Sequence, residues 1–391
     1  MFKLIPLLGA AAALSLVSEV SAFTINPCLR TLTVTNGKPS QEAIRRINPC
    51  GAVPQLKDSV HEHMTLATVQ AYAGRDSVGT KTEQTPGGLK SSTNLLYAPT
   101  WRVGNGPKHQ TIIIVQGTWW NDDPSMYLWG SSDDFRHGIK NVQKVFAKKK
   151  YATYEGSTDE CPVPIKEHLP QHSHFGNLQH LHFMSTKKRT EPAAVKLDDV
   201  TANALVWLEF AYDVATGKTK PNDAINADQE VRLHLPSIAK NVCADPRNIV
   251  VRSLFTKPDG KEPEKLAVRD SITPDVALGS MLHILQDSFS PSHTCRVAVS
   301  SGGTAPLAAL YDVRNYVEQD HKLHAKQDVT PAWFKKLLRT GNHTYSNDPV
   351  TVGTWLIQAV DEKKPWQDVR DHLMKTIFAK APQYATPPAC I

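Results

Sequence analysis

The sequence predicts a mainly α protein, a multi-helix bundle with long loop insertions. Three observations carry that prediction. Apolar residues recur at steps of three and four in several segments. Histidine–aspartate pairs fall on the same helical spacing, and no internal repeat or low-complexity tract interrupts the chain. Histidine is also abundant, with 16 in 391 residues, and many occur in clusters.

The chain opens Met1-Phe2-Lys3, runs apolar from Leu4 to Val17 and continues Ser18-Glu19-Val20-Ser21-Ala22. A basic start, a short apolar core and a Val-x-Ala ending describe a secretory signal peptide over residues 1–22. The run is too short to span a bilayer comfortably, and no later segment approaches that length. Cleavage after Ala22 is expected to begin the mature chain at Phe23 and to export it, to the periplasm or beyond the cell.

Residues 23–57 are rich in Pro, Asn and Thr and read as an irregular arm. Val60, Met64, Ala67 and Ala71 predict a helix running to Tyr72, with Ser59 as its N-cap. Residues 74–110 read as loop. Thr111 to Val115 is a β-branched run that predicts a short strand, after which Gln116 to Pro124 turns the chain. Residues 132–168 are charged, and Lys148-Lys149-Lys150 reads as solvated surface. His172 to His182 carries four histidines. Thr201 to Thr216 is an amphipathic helix, and the polar stretch from Lys218 to about Asp275 has room for one or two more. Leu278, Met281, Leu282 and Leu285 mark a helix that Ser290-Pro291 stops. A further helix is predicted from Leu307 to about Gln327, with short ones near 332–339, 351–361 and 365–378. One domain is expected over 23–328, with 329–391 extending the same bundle.

The formal charge of +6 is mild. It favours a phosphate-bearing substrate or an anionic membrane surface and is far too small to argue a stable nucleic-acid partner. Six cysteines in an exported chain fit up to three disulfides. The Asn-Pro-Cys repeat at 26–28 and 48–50 makes Cys28–Cys50 the favoured bridge. No CxxC pair suggests a zinc ribbon.

The chemistry concentrates around Met281-Leu282-His283-Ile284-Leu285-Gln286-Asp287-Ser288-Phe289-Ser290-Pro291-Ser292-His293. His283 and Asp287 share one helical face, four residues apart, and His293 can curl back from the exit. His324 and Asp328 repeat that pairing. Upstream candidates are His61 or His63, Asp122 or Asp123, and His172, His174, His180 or His182. Any one of these histidines alone is more often a hydrogen-bonded core residue than a ligand. Imidazoles and carboxylates without thiolate suit zinc in a hydrolytic site with an open position. His61-Glu62-His63-Met64-Thr65 lacks the second histidine of HExxH, and no GxSxG elbow occurs. Trp119 and Trp120 suit either a substrate cleft or buried packing.

The order His…Asp…His…His-x3-Asp-x5-His…His-x3-Asp resembles the trinuclear zinc phosphodiesterases, which include bacterial phospholipase C and the P1-type single-strand nucleases. The resemblance runs discontinuously from about Phe23 to Asp328, and His283-x3-Asp287-x5-His293 is its most specific piece. His61-Glu62-x-Met64-Thr65, Gly117-x-x-Trp120-Asn121-Asp122 and Ser173-His174-Phe175-Gly176 look like the Gram-negative zinc metallophospholipase C branch.

The resemblance implies two or three zinc ions. One would take Asp122, His174, His283 and Asp287. Asp287 would bridge to a second, held also by His61 and by the amino group and carbonyl of Phe23. The third would take His293, His324 and Asp328. Three features depart from the family pattern: Phe23 replaces the usual Trp, Asp122 and His174 lie 52 residues apart, and the last ligand is Asp rather than the Glu of Bacillus-type phospholipases. His182 is an alternative to His174, and Asp123 to Asp122. The implied activity is hydrolysis of a phospholipid at a membrane surface to diacylglycerol and a phosphorylated head group, with Asp122 orienting or deprotonating the water. A single-strand nuclease or 3′-nucleotidase is the alternative. A secreted binding protein with a degenerate site is the third reading.

Overall fold

The computed structural model describes residues 34–35, 38–39, 60–73, 100–101, 109–124, 126, 169, 172–235, 250–256, 263–300, 303, 305–316, 327, 329–382 and 389–391. The expected signal peptide, Phe23, the Cys28–Cys50 bridge, the surface segment 132–168, His324 and Asp328 lie outside those residues. Most described residues are helical, and no described helix is long and apolar enough to cross a membrane.

In chain order the elements are β1 (Val34–Thr35), β2 (Lys38–Pro39), α1 (Val60–Ala73), β3 (Thr100–Trp101), β4 (His109–Gln110) and α2 (Thr111–Thr118). A 3₁₀ turn at Gln179–His182 follows, then α3 (Ala193–Ala215), α4 (Ala227–Arg232), α5 (Val251–Phe255) and α6 (Pro263–Asp287). The chain continues through β5 (Thr294–Val299), β6 (Leu307–Val313), α7 (Ala332–Thr340), α8 (Pro349–Asp361) and α9 (Trp366–Lys375). The six strands form three antiparallel pairs: β1 with β2, β3 with β4 and β5 with β6.

Helix α6 is the axis of the molecule. From Val276 to Asp287 every residue is buried, because α1, α2, α3, α5 and α8 all pack on it. A helix covered on all sides needs apolar or hydrogen-bonded residues at every position. Leu278, Met281, Leu282, Ile284 and Leu285 supply the first kind. Its closest neighbour is α2. A Cβ on Gly279 would lie 2.2 Å from the Ile114 carbonyl oxygen, and one on Gly117 would lie 2.5 Å from that of Val276. Only paired glycines let the two backbones approach so closely.

The same contact explains one correction to the sequence reading. Thr111–Thr118 is a helix, not a strand. Its β-branched run has strand propensity, but burial against α6 outweighs a preference worth only tenths of a kcal/mol per residue. The reverse correction falls on Leu307–Val313. Leu-Ala-Ala-Leu is good helix sequence, yet the segment pairs with β5 from Thr294↔Val313 to Val299↔Leu307. Leu310 also exchanges backbone hydrogen bonds with Ala379 and Ala381, so non-local pairing decides its state. The predicted helices at 59–72 and in the tail appear as α1, α7, α8 and α9 with shifts of a few residues, and the one predicted at 201–216 appears as α3, which begins about two turns earlier, at Ala193. Asp348 caps α8 by accepting from the Thr351 N–H, with Pro349 in the first turn. A disulfide joins Cys295 on β5 to Cys390, 95 residues away.

Candidate metal centre

Five elements deliver side chains to one buried volume beneath the end of α6. The C-terminal turn of α6 carries His283 and Asp287 on one face. The first turn of α1 brings His61. The turn after α2 brings Asp122. Residues 172–182 bring His174 and His182, and the exit from α6 brings His293. His61, His174, His182, His283, His293 and Asp287 are each 0% exposed, while Asp122 keeps 7%.

Asp287 is the hub. Its Oδ2 lies 2.8 Å from His283 Nε2 and 2.9 Å from His182 Nδ1, and 3.7 Å from His293 Nδ1. Its Oδ1 faces His61 Nε2 at 3.3 Å. Asp122 stands on the other side, with Oδ1 3.7 Å from His174 Nε2 and Oδ2 3.9 Å from His283 Nδ1. Two ligand sets result, His61–His283–Asp287 and Asp122–His174–His182, each with its donor atoms within 4.8 Å of one another. The resemblance implies a different division, in which Asp122 and His174 share an ion with His283 and Asp287. His182 joins the group here beside His174, not in place of it.

Each imidazole is aimed by a partner on its second nitrogen. His283 Nδ1 donates to the Thr118 carbonyl at 2.6 Å, an acceptor that the Gly117–Gly279 contact brings into reach. His61 Nδ1 donates to Gln286 Oε1 at 2.6 Å, and the Gln286 amide in turn donates to Thr65 Oγ1. His293 Nδ1 donates to the His182 carbonyl at 2.7 Å. His182 is held the other way, its Nε2 donating to the Asn121 carbonyl at 3.1 Å. These acceptors fix the tautomers and leave Nε2 of His61, His283 and His293, and Nδ1 of His182, as the basic atoms.

The result is a concentration of lone pairs in a volume without bulk water. His182 Nδ1 and His283 Nε2 lie 3.0 Å apart, both within 3 Å of the same Asp287 oxygen. Both Asp122 oxygens and Asp287 Oδ1 are buried and accept no hydrogen bond from a described residue. Such an arrangement demands a shared proton or a cation. Burial opposes charge on His182 and His283 and lowers both, His174 adding to the effect on His182, while nearby carboxylates offset it in part. His61 behaves differently: burial disfavours its charge, but Asp287, Asp122 and Gln286 together raise it to about 9. Burial would raise Asp287, yet His283, His293 and His61 hold it well below the usual carboxylate range. Asp122 is likewise lowered, with His283 and His174 outweighing burial. One protonated imidazole is a poor filling for a pocket of five. The nitrogen and oxygen donor set could hold a metal ion.

Several residues here are not marked by the sequence pattern. The Tyr316 ring lies 5.4–5.7 Å from those of His174, His182 and His293 and closes one side of the group. It follows β6, where nothing in the sequence flags it. Gln286 was detectable as a polar residue directly before Asp287, following the apolar pair Ile284-Leu285 of α6. His180 is buried against His234 at 5.8 Å and belongs to neither ligand set. Trp119 and Trp120 are fully buried packing residues, not a cleft wall: Trp119 Nε1 donates to Glu62, and Trp120 stacks on Trp207 at 4.9 Å. Comparison with protein-family models, curated proteins and solved structures finds no match to this chain.

Proposed function

We propose that the chain is a zinc-dependent phosphodiester hydrolase and that its substrate is a phospholipid, cleaved on the phosphate side of the glycerol oxygen. The observation that carries the reaction class is the convergence of five oriented imidazoles and two carboxylates at the end of α6. The phospholipid substrate is supported by the motif pieces around His61, Trp120-Asn121-Asp122 and Ser173-His174-Phe175-Gly176, which resemble the metallophospholipase branch.

His61, His283 and Asp287 would hold one ion and Asp122, His174 and His182 another. Zinc bound there supplies Lewis acidity toward phosphoryl oxygens and makes water nucleophilic near neutral pH. The chain's own contribution is orientation and proton handling. Thr118, Gln286 and Asn121 fix the tautomers, so no imidazole has to reorganise during turnover. Asp122 is the carboxylate of the group that is not completely buried, and its two oxygens accept no described hydrogen bond. In this reading it would take the proton as the water oxygen bonds to phosphorus and the bond to the diacylglycerol oxygen breaks. Asp122 would then return that proton to the leaving oxygen, so that the water supplies the proton of the alcohol product and Asp122 ends unprotonated.

Parallel assays on phosphatidylcholine and single-stranded DNA, each with chelator and then with zinc restored, test both parts. Chelator-sensitive release of diacylglycerol is the expected result. Cleavage of DNA alone would replace the lipid by a nucleic acid. Less than one zinc per chain in protein purified without chelator, and no activity after zinc addition, would leave a binding protein.

A further inference from the structure

A cavity of about 750 Å³ lies beside the exit from α6, and no member of the histidine–aspartate group lines it. Phe289, Trp333 and Tyr345 form aromatic walls, with Trp333 and Tyr345 ring centroids 5.7 and 6.4 Å from that of Phe289. Over the Phe289 ring, at 3.9 Å, lies the guanidinium of Arg296. Arg296 is 3% exposed, and its hydrogen bonds go to the Ser288, Ala308 and Ile377 carbonyls and the Ser288 hydroxyl. No described carboxylate pairs with it.

A buried guanidinium held only by neutral acceptors keeps its positive potential and projects it into the space it lines. Arg314 lines the same cavity, and its Nε is buried without an acceptor among the described residues. Its charged neighbours are Asp312 and Arg189, and Lys196 already engages Asp312 at 2.7 Å. Lys335 and Lys336 are exposed on α7 and complete the rim. Among the described residues no acidic side chain lines the cavity. Apolar walls and four cations select a molecule with an anionic head and an apolar body, and the volume is that of a small-ligand site.

We propose that this cavity binds an anionic lipid, with a phosphate head at Arg314, Lys335 and Lys336 and an acyl chain against Phe289, Trp333 and Tyr345. The site is separate from the metal centre and does not rest on the reaction assigned there. Octanoyl lysophosphatidate is a suitable probe, because a phosphodiesterase leaves its monoester intact. Calorimetric titration of the full chain should show it binding at least about tenfold more tightly than inorganic phosphate or monooctanoylglycerol. Exchanging the exposed pair, Lys335→Glu with Lys336→Glu, should cost about tenfold or more, as should Trp333→Ala, while Asp287→Asn leaves binding unchanged. Equal binding of the neutral glyceride or of phosphate overturns the proposal. So does loss of binding in Asp287→Asn, which would place the probe at the metal centre.

Discussion

Two buried histidine–aspartate groups sit on α6, near its middle and at its end, and they are built on opposite principles. Near the middle, His109 donates from both ring nitrogens, at 2.6 Å to Asp275 and at 2.6 Å to Asp361. The Gln110 N–H donates to the other Asp275 oxygen, and the Tyr72 hydroxyl to the other Asp361 oxygen. One imidazole faces two carboxylates, every polar atom is matched, and the group ties β4, α1, α6 and α8 together. At the helix end, five imidazoles face two carboxylates and their basic atoms point at one another. The same residue types thus make a saturated clamp in one place and a donor-rich cage in the other. The difference lies in stoichiometry and in where the second nitrogen is held.

The sharpest way to break this contrast is to remove one carboxylate from each group. On the proposed function, Asp287→Asn should lose bound zinc and lower phosphodiester hydrolysis by on the order of 10³-fold, whereas Asp275→Asn should retain zinc. Metal analysis of both variants decides it, and a full zinc complement in Asp287→Asn would sink the cage reading.

A pH titration separates them next. Burial disfavours the His109 charge, but Asp275 and Asp361 raise its pKa from 6.5 to about 9. A raised folded-state value stabilises fully below 6.5 and loses that contribution as pH rises through about 9. The expected loss is on the order of 2–3 kcal/mol of unfolding free energy between neutral pH and pH 10, measurable by urea denaturation of chelated protein. His109→Gln should remove that part of the slope and leave the contribution of His61, which is also raised to about 9. An unchanged slope in that variant would remove His109 as the cause.

Gly279→Ala tests the backbone contact beneath the cage. The new Cβ meets the Ile114 carbonyl at 2.2 Å, so α2 must move away and stability should fall by about 1–3 kcal/mol. The Thr118 acceptor would recede from His283 as well. The smallest effect is expected for Gln286→Met, which fits the space but removes the acceptor of His61 Nδ1. Metal affinity should fall about tenfold with little change in fold. Competition against a chelator of known affinity reads that change, and no shift would mean that Gln286 does not orient His61.

Helical periodicity made α1, α3 and the tail helices legible in the sequence, because each carries apolar residues on one face. It also placed His283 and Asp287 together, since residues four apart on a helix must share a face. The two segments it misassigned, Thr111–Thr118 and Leu307–Val313, take their state from partners distant in the chain, and local propensity is too weak to resist them. The same limit applies at the site. His182 enters the cage because a 3₁₀ turn ends at Phe183 in a left-handed conformation (φ 47°), and no spacing rule encodes that placement.

By itself, then, the sequence determined which residue types carry the chemistry and that the end of α6 is their centre. Asp287 was central in that reading because the resemblance asks it to bridge two ions, and the structure makes it the carboxylate that faces four histidines. Only the tertiary structure decided which nitrogen of each ring is basic. That choice depends on Thr118, Gln286, Asn121 and the His182 carbonyl, which converge only when α1, α2, α6 and the 172–182 segment pack together.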